Sequence, residues 1–147
     1  MCYHSRFRLA AGTALLAGLL LPGCFTNKGH QGERLYGQHC ASCHGAQGEG
    51  IGQLVPPLAG SDYLAGHRAQ LACIVRQGLQ GPITVKGVGY NQLMLGVQDT
   101  ATHRHLSPAQ ITNLLNYLER AWGNQPGPGG LRTIAGTEAE LRACGAL

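Results

Sequence analysis

The sequence predicts an all-α fold, about three to five helices joined by long, irregular connections and closed around a bound group. Three observations carry that prediction. Apolar residues recur at i, i+3 and i+4 in several segments, and little of the chain alternates polar with apolar residues. Of 147 residues, 23 are glycine and only 12% are charged, a balance that favours loops over a small core needing extra apolar mass. The pentapeptide Cys40-Ala41-Ser42-Cys43-His44 occurs once and places two thiols and an imidazole within five residues.

The elements follow in order. Arg6 and Arg8 precede Leu9–Leu21, an apolar run of 13 residues without charge, too short to span a bilayer and of the length of an export signal's core. Residues 1–23 are therefore expected to be a signal peptide. The run ends at Leu21-Pro22-Gly23-Cys24, which resembles a bacterial lipobox, so Cys24 is a candidate for lipidation as the first mature residue. Ordinary cleavage nearby, leaving no anchor, is the alternative. Residues 24–31 read as a polar tether. From Cys24 the chain keeps 124 residues, enough for one domain, and loses Arg6 and Arg8, so the formal charge of +4 falls to +2. There is no basic run and no aromatic platform, which argues against nucleic acid as a partner.

A first helix is expected from Gly32 to Cys43, with Leu35, Tyr36 and His39 at helical spacing, and the glycines at 45, 48, 50 and 52 end it. A Pro56-Pro57-Leu58-Ala59-Gly60 loop follows, then one turn at 61–64. A helix fits 67–77, with Leu71, Ile74 and Val75 apolar and Gly78 closing it. Residues 81–95 read as an irregular loop. Ser107-Pro108-Ala109-Gln110 is a capping box with proline at the first helical position. It opens a helix running to about Trp122. Residues 124–130 read as a hinge-like linker, and Thr137-Glu138-Ala139-Glu140 as a second capping box opening a short helix to about Cys144.

C-x-x-C-H is the attachment signature of c-type haem. Two thiols at this spacing, Cys40 and Cys43, form thioethers with the two vinyl groups of one haem, and His44 offers a neutral imidazole to the iron. One covalent haem c is the expected cofactor. A closed zinc site needs four ligands, and no second C-x-x-C or H-x3-H pair follows. A thioredoxin-like pair wants a βαβ context that the pattern lacks. Haem c is attached outside the bacterial cytoplasm, so motif and signal agree on the periplasm, or the periplasmic face of a membrane. Once Cys2, Cys24, Cys40 and Cys43 have their uses, Cys73 and Cys144 remain in an oxidising compartment, either as a disulfide or as two buried thiols. The mature chain holds one methionine, Met94, a soft thioether for the second axial position or a gap-filling core residue.

The chain resembles class I monohaem cytochromes c of bacteria. The resemblance covers roughly residues 32–124 and rests on Gly32, Tyr36, Cys40-Ala-Ser-Cys43-His44-Gly45, Pro56-Pro57-Leu58-Ala59-Gly60-Ser61, Gly78-Leu-Gln-Gly81-Pro82-Ile83-Thr84-Val85, Tyr90-Asn91-x2-Met94 and the helix from Leu106 to Asn124. It implies a cytochrome c domain at 32–124, with 125–147 as a Pro/Gly linker and short terminal helix. It also implies His44 proximal and Met94 distal, the Pro56 carbonyl as acceptor for the His44 Nδ1–H, and Leu58, Ile74 and Leu93 as haem-pocket walls. Gly32 and Tyr36 match the place where the first helix crosses the last. Two departures stand out: Leu95 follows Met94 where family members have proline, and His103 and His105 are rival ligands or surface residues. His67 and His30 read as surface residues. The expected function is single-electron transfer in the cell envelope between respiratory or dehydrogenase partners, without catalysis. The alternative is a haem enzyme or gas sensor with a labile sixth ligand.

Overall fold

The computed structural model describes residues 28–98, 102 and 104–144. The export signal, Cys24 and His103 lie outside the described residues. Helices α1 (Lys28–His39), α2 (Ala41–His44), α3 (Asp62–Gly66), α4 (Leu71–Gln77), α5 (Pro108–Leu118) and α6 (Ile134–Ala143) form the body. The fold is not all-α. Two small antiparallel pairs occupy the stretch that reads as irregular: β1 (Gly78–Leu79) with β4 (Met94–Leu95), and β2 (Ile83–Val85) with β3 (Val88–Tyr90). The Lys86-Gly87 turn puts both residues at positive φ, 51° and 77°, as a two-residue hairpin turn of matching twist requires. Strands of two or three residues leave at most a single alternation in the sequence, as at Ile83-Thr84-Val85.

α1 starts at Lys28, inside the segment read as tether; its Gln31 amide meets Asn113 of α5. The two helices cross at Gly32, where a Cβ would fall 2.6 Å from that of Tyr117 and closer still to the Asn113 carbonyl. Glycine is therefore required for the approach, in keeping with the crossing that the sequence implies. Tyr36 packs edge-on to Trp122, ring centroids 4.8 Å apart, and its hydroxyl donates to the Gly45 carbonyl. Leu35, Ile111, Leu114, Leu115 and Leu118 bury the seam.

The Ser107 capping box forms as read: Ser107 Oγ accepts from Gln110 N, and Gln110 Oε1 accepts from Ser107 N at 2.8 Å. α5 stops at Leu118, four residues short of Trp122, which sits at φ 51° and turns its ring back onto Tyr36 and Tyr117. The helix expected at 67–77 is a short 3-10 turn, Arg68–Gln70, followed by α4. His67 is not a free surface residue. Its ring stacks on Tyr63 at 3.8 Å and its Nδ1 lies 3.0 Å from the Tyr63 carbonyl.

The tail is bolted on. Arg132, with its side chain 4% exposed, reaches Glu119 and Glu140, both at 2.7 Å, and Arg68 holds Glu119 and the Gly130 carbonyl. A Cys73–Cys144 disulfide ties the end of α6 to α4. α6 begins after Thr133, which caps it, and not at Thr137. Thr137 is instead buried and accepts from Thr112 Oγ1 at 2.8 Å. A buried partner across the helix pair outweighed the capping pattern. Residues 124–130 are thus pinned at their far end and are not a hinge.

Candidate haem site

His44 ends α2 as a buried residue. Its backbone is fixed on both sides, N to the Cys40 carbonyl at 2.9 Å and O from Gly50 N at 2.8 Å. Its Nδ1 lies 3.0 Å from the Pro56 carbonyl. A carbonyl only accepts, so Nδ1 carries the proton, and Nε2 keeps its lone pair. Burial holds the imidazole below its ordinary pKa, and the bond to Pro56 opposes this more weakly. The ring is a neutral base at neutral pH, the form that binds a metal.

Cys40 and Cys43 sit one helical turn apart, Cys40 buried and Cys43 exposed. Burial first, and the neighbouring Cys43 second, push the Cys40 thiol up to about 12. Such a thiol is protonated and inert to chance oxidation.

The side chains converge on two adjoining cavities that share Cys40, His44, Pro56 and Met94. One, about 80 Å³, is walled by core residues including Leu58, Ile74 and Leu71. The other, about 430 Å³, also takes in Cys43, Leu54 and Leu93. That volume falls within the range of small-molecule and cofactor sites. No Lys, Arg, Asp or Glu lines either cavity. A hollow with two thiols, the His44 imidazole and one thioether on its walls has the donor set of a covalently held haem; His39 of α1 also lines the larger cavity. Among the described residues no three His, Cys, Asp or Glu side chains gather as a closed zinc site would require.

Met94 reaches the cavity from β4, paired with Leu79 of β1. The strand lies against the end of α4: Val97 N donates to the Val75 carbonyl at 2.8 Å, and a Cβ on Gly96 would meet the Arg76 carbonyl. Glycine at 78 and 96 lets the two backbones touch. Pro56, Leu58, Ile74 and Leu93 all line the cavities, Leu93 at the rim of the larger one, 63% exposed. His105 is exposed, pairs through its backbone with Gln98, and lines neither cavity. Sequence reasoning missed Leu79, Ile83, Val85 and Val97 as wall residues. The one signal for them was the Ile83-Thr84-Val85 alternation, three residues long.

The cytochrome c family model matches residues 30–122. Cytochrome c-552 of Thermus thermophilus is 37% identical over 134 residues, spanning 88% of this chain and 85% of that protein. The cytochrome c subunit of the quinone alcohol dehydrogenase of Gluconobacter oxydans is 31% identical over 125 residues, which is 82% of this chain and 24% of that subunit.

Proposed function

The chain belongs to the cytochrome c family, and from that premise we propose that Cys40 and Cys43 hold one haem c, that His44 is its proximal ligand and Met94 its distal ligand, and that the protein is a dedicated electron carrier. The observation that carries this reading is the convergence of all four side chains on one uncharged cavity. When bound, haem c supplies a one-electron iron couple.

The chain's own residues then set the conditions of transfer. The two thioethers keep the group from dissociating. Pro56 holds His44 as the Nδ1–H tautomer and raises its basicity. The Met94 thioether, soft and neutral, favours the reduced state and raises the potential. His44 and Met94 would hold the iron from the walls of the same cavity, so little would have to move when its charge changes. The titratable side chains on the cavity walls are His39, His44, the two thiols, Tyr63 and Tyr90, with no carboxylate or ammonium among them, which suits a carrier rather than a catalyst.

Leu54 and Leu93, 57% and 63% exposed, rim the larger cavity beside the amides of Gln38, Gln92 and Gln98, so the surface offered to a redox partner there carries apolar contacts and no Lys, Arg, Asp or Glu. The cytochrome subunit of a quinone-dependent dehydrogenase among the relatives supports a redox protein as partner. Among the described residues no helix is long and apolar enough to cross a membrane. The signal-like leader and Cys24 support placement in the periplasm, tethered by lipid to a membrane face.

Met94→Ala tests the ligand pair. The variant is expected to keep its covalent haem, lose low-spin ligation and bind carbon monoxide. Retained low-spin ligation would transfer the distal role to a histidine. Ready carbon monoxide binding by the unmodified protein would favour a gas-binding or catalytic haem.

A further inference from the structure

Asn124 is 8% exposed and lies just beyond α5, on the loop side of the haem site. Its carboxamide makes three hydrogen bonds. Oδ1 accepts from Ser61 N at 3.0 Å, and Nδ2 donates to the Leu58 carbonyl at 2.8 Å and to the Leu118 carbonyl at 2.9 Å. Leu118 is the last residue of α5, so one of these bonds satisfies a carbonyl that a helix end leaves without a partner. The other two grip the segment immediately downstream of Pro56. Ser61, held by its N–H, is also the cap of α3.

Upstream, the same segment is stitched down through Leu58 N and Ala59 N, which both donate to the Gly48 carbonyl, at 2.8 and 2.9 Å. Between this anchorage and Pro56 lies only Pro57, whose ring fixes φ. The Pro56 carbonyl therefore has little freedom of its own: its place is set by where Leu58 is held. That carbonyl accepts from His44 Nδ1.

We propose that Asn124 is a positioning residue for the proximal side of the haem site, fixing the Pro56 carbonyl against His44 and so setting the basicity of the imidazole. The proposal rests on the reading of His44 as an iron ligand. The residue type follows from the contacts. Aspartate would keep the bond from Ser61 N but set an oxygen against two carbonyls, and alanine would leave one buried donor and two acceptors unpaired. Loosening the Pro56 carbonyl weakens its bond to Nδ1–H. A less basic imidazole stabilises ferric iron less, so the reduction potential rises.

The test uses the full chain matured with haem and labelled with 15N-histidine. Asn124→Ala and Asn124→Asp are compared with Thr112→Val, which cuts a buried bond to α6 elsewhere on α5. In both Asn124 variants the His44 Nδ1–H is expected to exchange with solvent at least about tenfold faster, and the potential to rise. Thr112→Val is expected to lower Tm and change neither. Variants that lose stability with the Nδ1–H exchange and the potential unmoved would reduce Asn124 to a structural role. Where a variant does not accumulate, the unmodified protein decides: the Asn124 side-chain amide and the His44 Nδ1–H are expected to open together, with protection within about threefold, and widely separate protection would overturn the proposal. An unmodified protein with no iron-shifted Nδ1–H signal would sink the ligand reading itself, whatever Asn124 does.

Discussion

The two sides of the cavity are built differently. The His44 side is anchored by its neighbours in sequence and by side chains: the helical turn that carries the thiols, the Pro56 carbonyl at 3.0 Å, and the loop from Gly45 to Ser61 folded against α5. The Met94 side rests on a two-residue strand, with Leu93 and Leu95 63% and 75% exposed and backbone contacts to the end of α4 as its main support. The first side has little room to move. The second leans on the end of α4, and the Cys73–Cys144 disulfide ties α4 in turn to the end of α6. Among the described residues, the Met94 side therefore has the fewer supports of the two.

The largest effect breaks the comparison outright. Cys40→Ala with Cys43→Ala removes the covalent floor of the proximal side and is expected to abolish stable holoprotein, read as loss of haem that survives acidified acetone. Next, Cys144→Ser opens a link between residues 71 apart and is expected to cost about 4 kcal/mol in urea denaturation. His44 ligation should be untouched, and carbon monoxide should shift part of the reduced spectrum, which it is not expected to do in the parent. Equal softening of both sides would contradict the asymmetry.

Gly96→Ala acts at the suture alone. Its Cβ would press on the Arg76 carbonyl and lie 2.9 Å from the Gln77 carbonyl carbon, backbone atoms that give way only by separating β4 from α4. A loss of about 1–3 kcal/mol is expected, with partial loss of the low-spin spectrum. The smallest effect comes from pH. The buried His44 resists a proton that its unfolded counterpart accepts. Its contribution to stability is therefore complete above the unfolded pKa of about 6.5 and is lost as pH falls below it, by at most about 1.4 kcal/mol per pH unit. Urea midpoints at neutral and mildly acidic pH check the sign; a midpoint that rises on acidification would contradict it.

The proximal side was legible in the sequence because its determinants are contiguous. C-x-x-C-H fits in one helical turn, and Pro56 and the Ser107 capping box announce themselves by residue type. The distal side was legible only as one methionine. Its supporting strands are two and three residues long, and β4 pairs with a strand on the far side of the β2–β3 hairpin, Met94 with Leu79. The tail shows the same limit: Thr137 reads as a cap, but a buried bond to Thr112 places it inside α6, and the Arg132 clasp joins residues that no local pattern connects. Leu93, which the resemblance implies as a wall, lines the larger cavity only at its exposed rim.

The most direct test of the two-sided site is an optical spectrum of the matured full-length protein, taken oxidised, reduced, and reduced under carbon monoxide. A sharp reduced α band, a weak far-red ferric band and no shift with carbon monoxide are expected for His44 and Met94 as the ligand pair. A high-spin spectrum that shifts at once with carbon monoxide would contradict the pair and leave the distal position open.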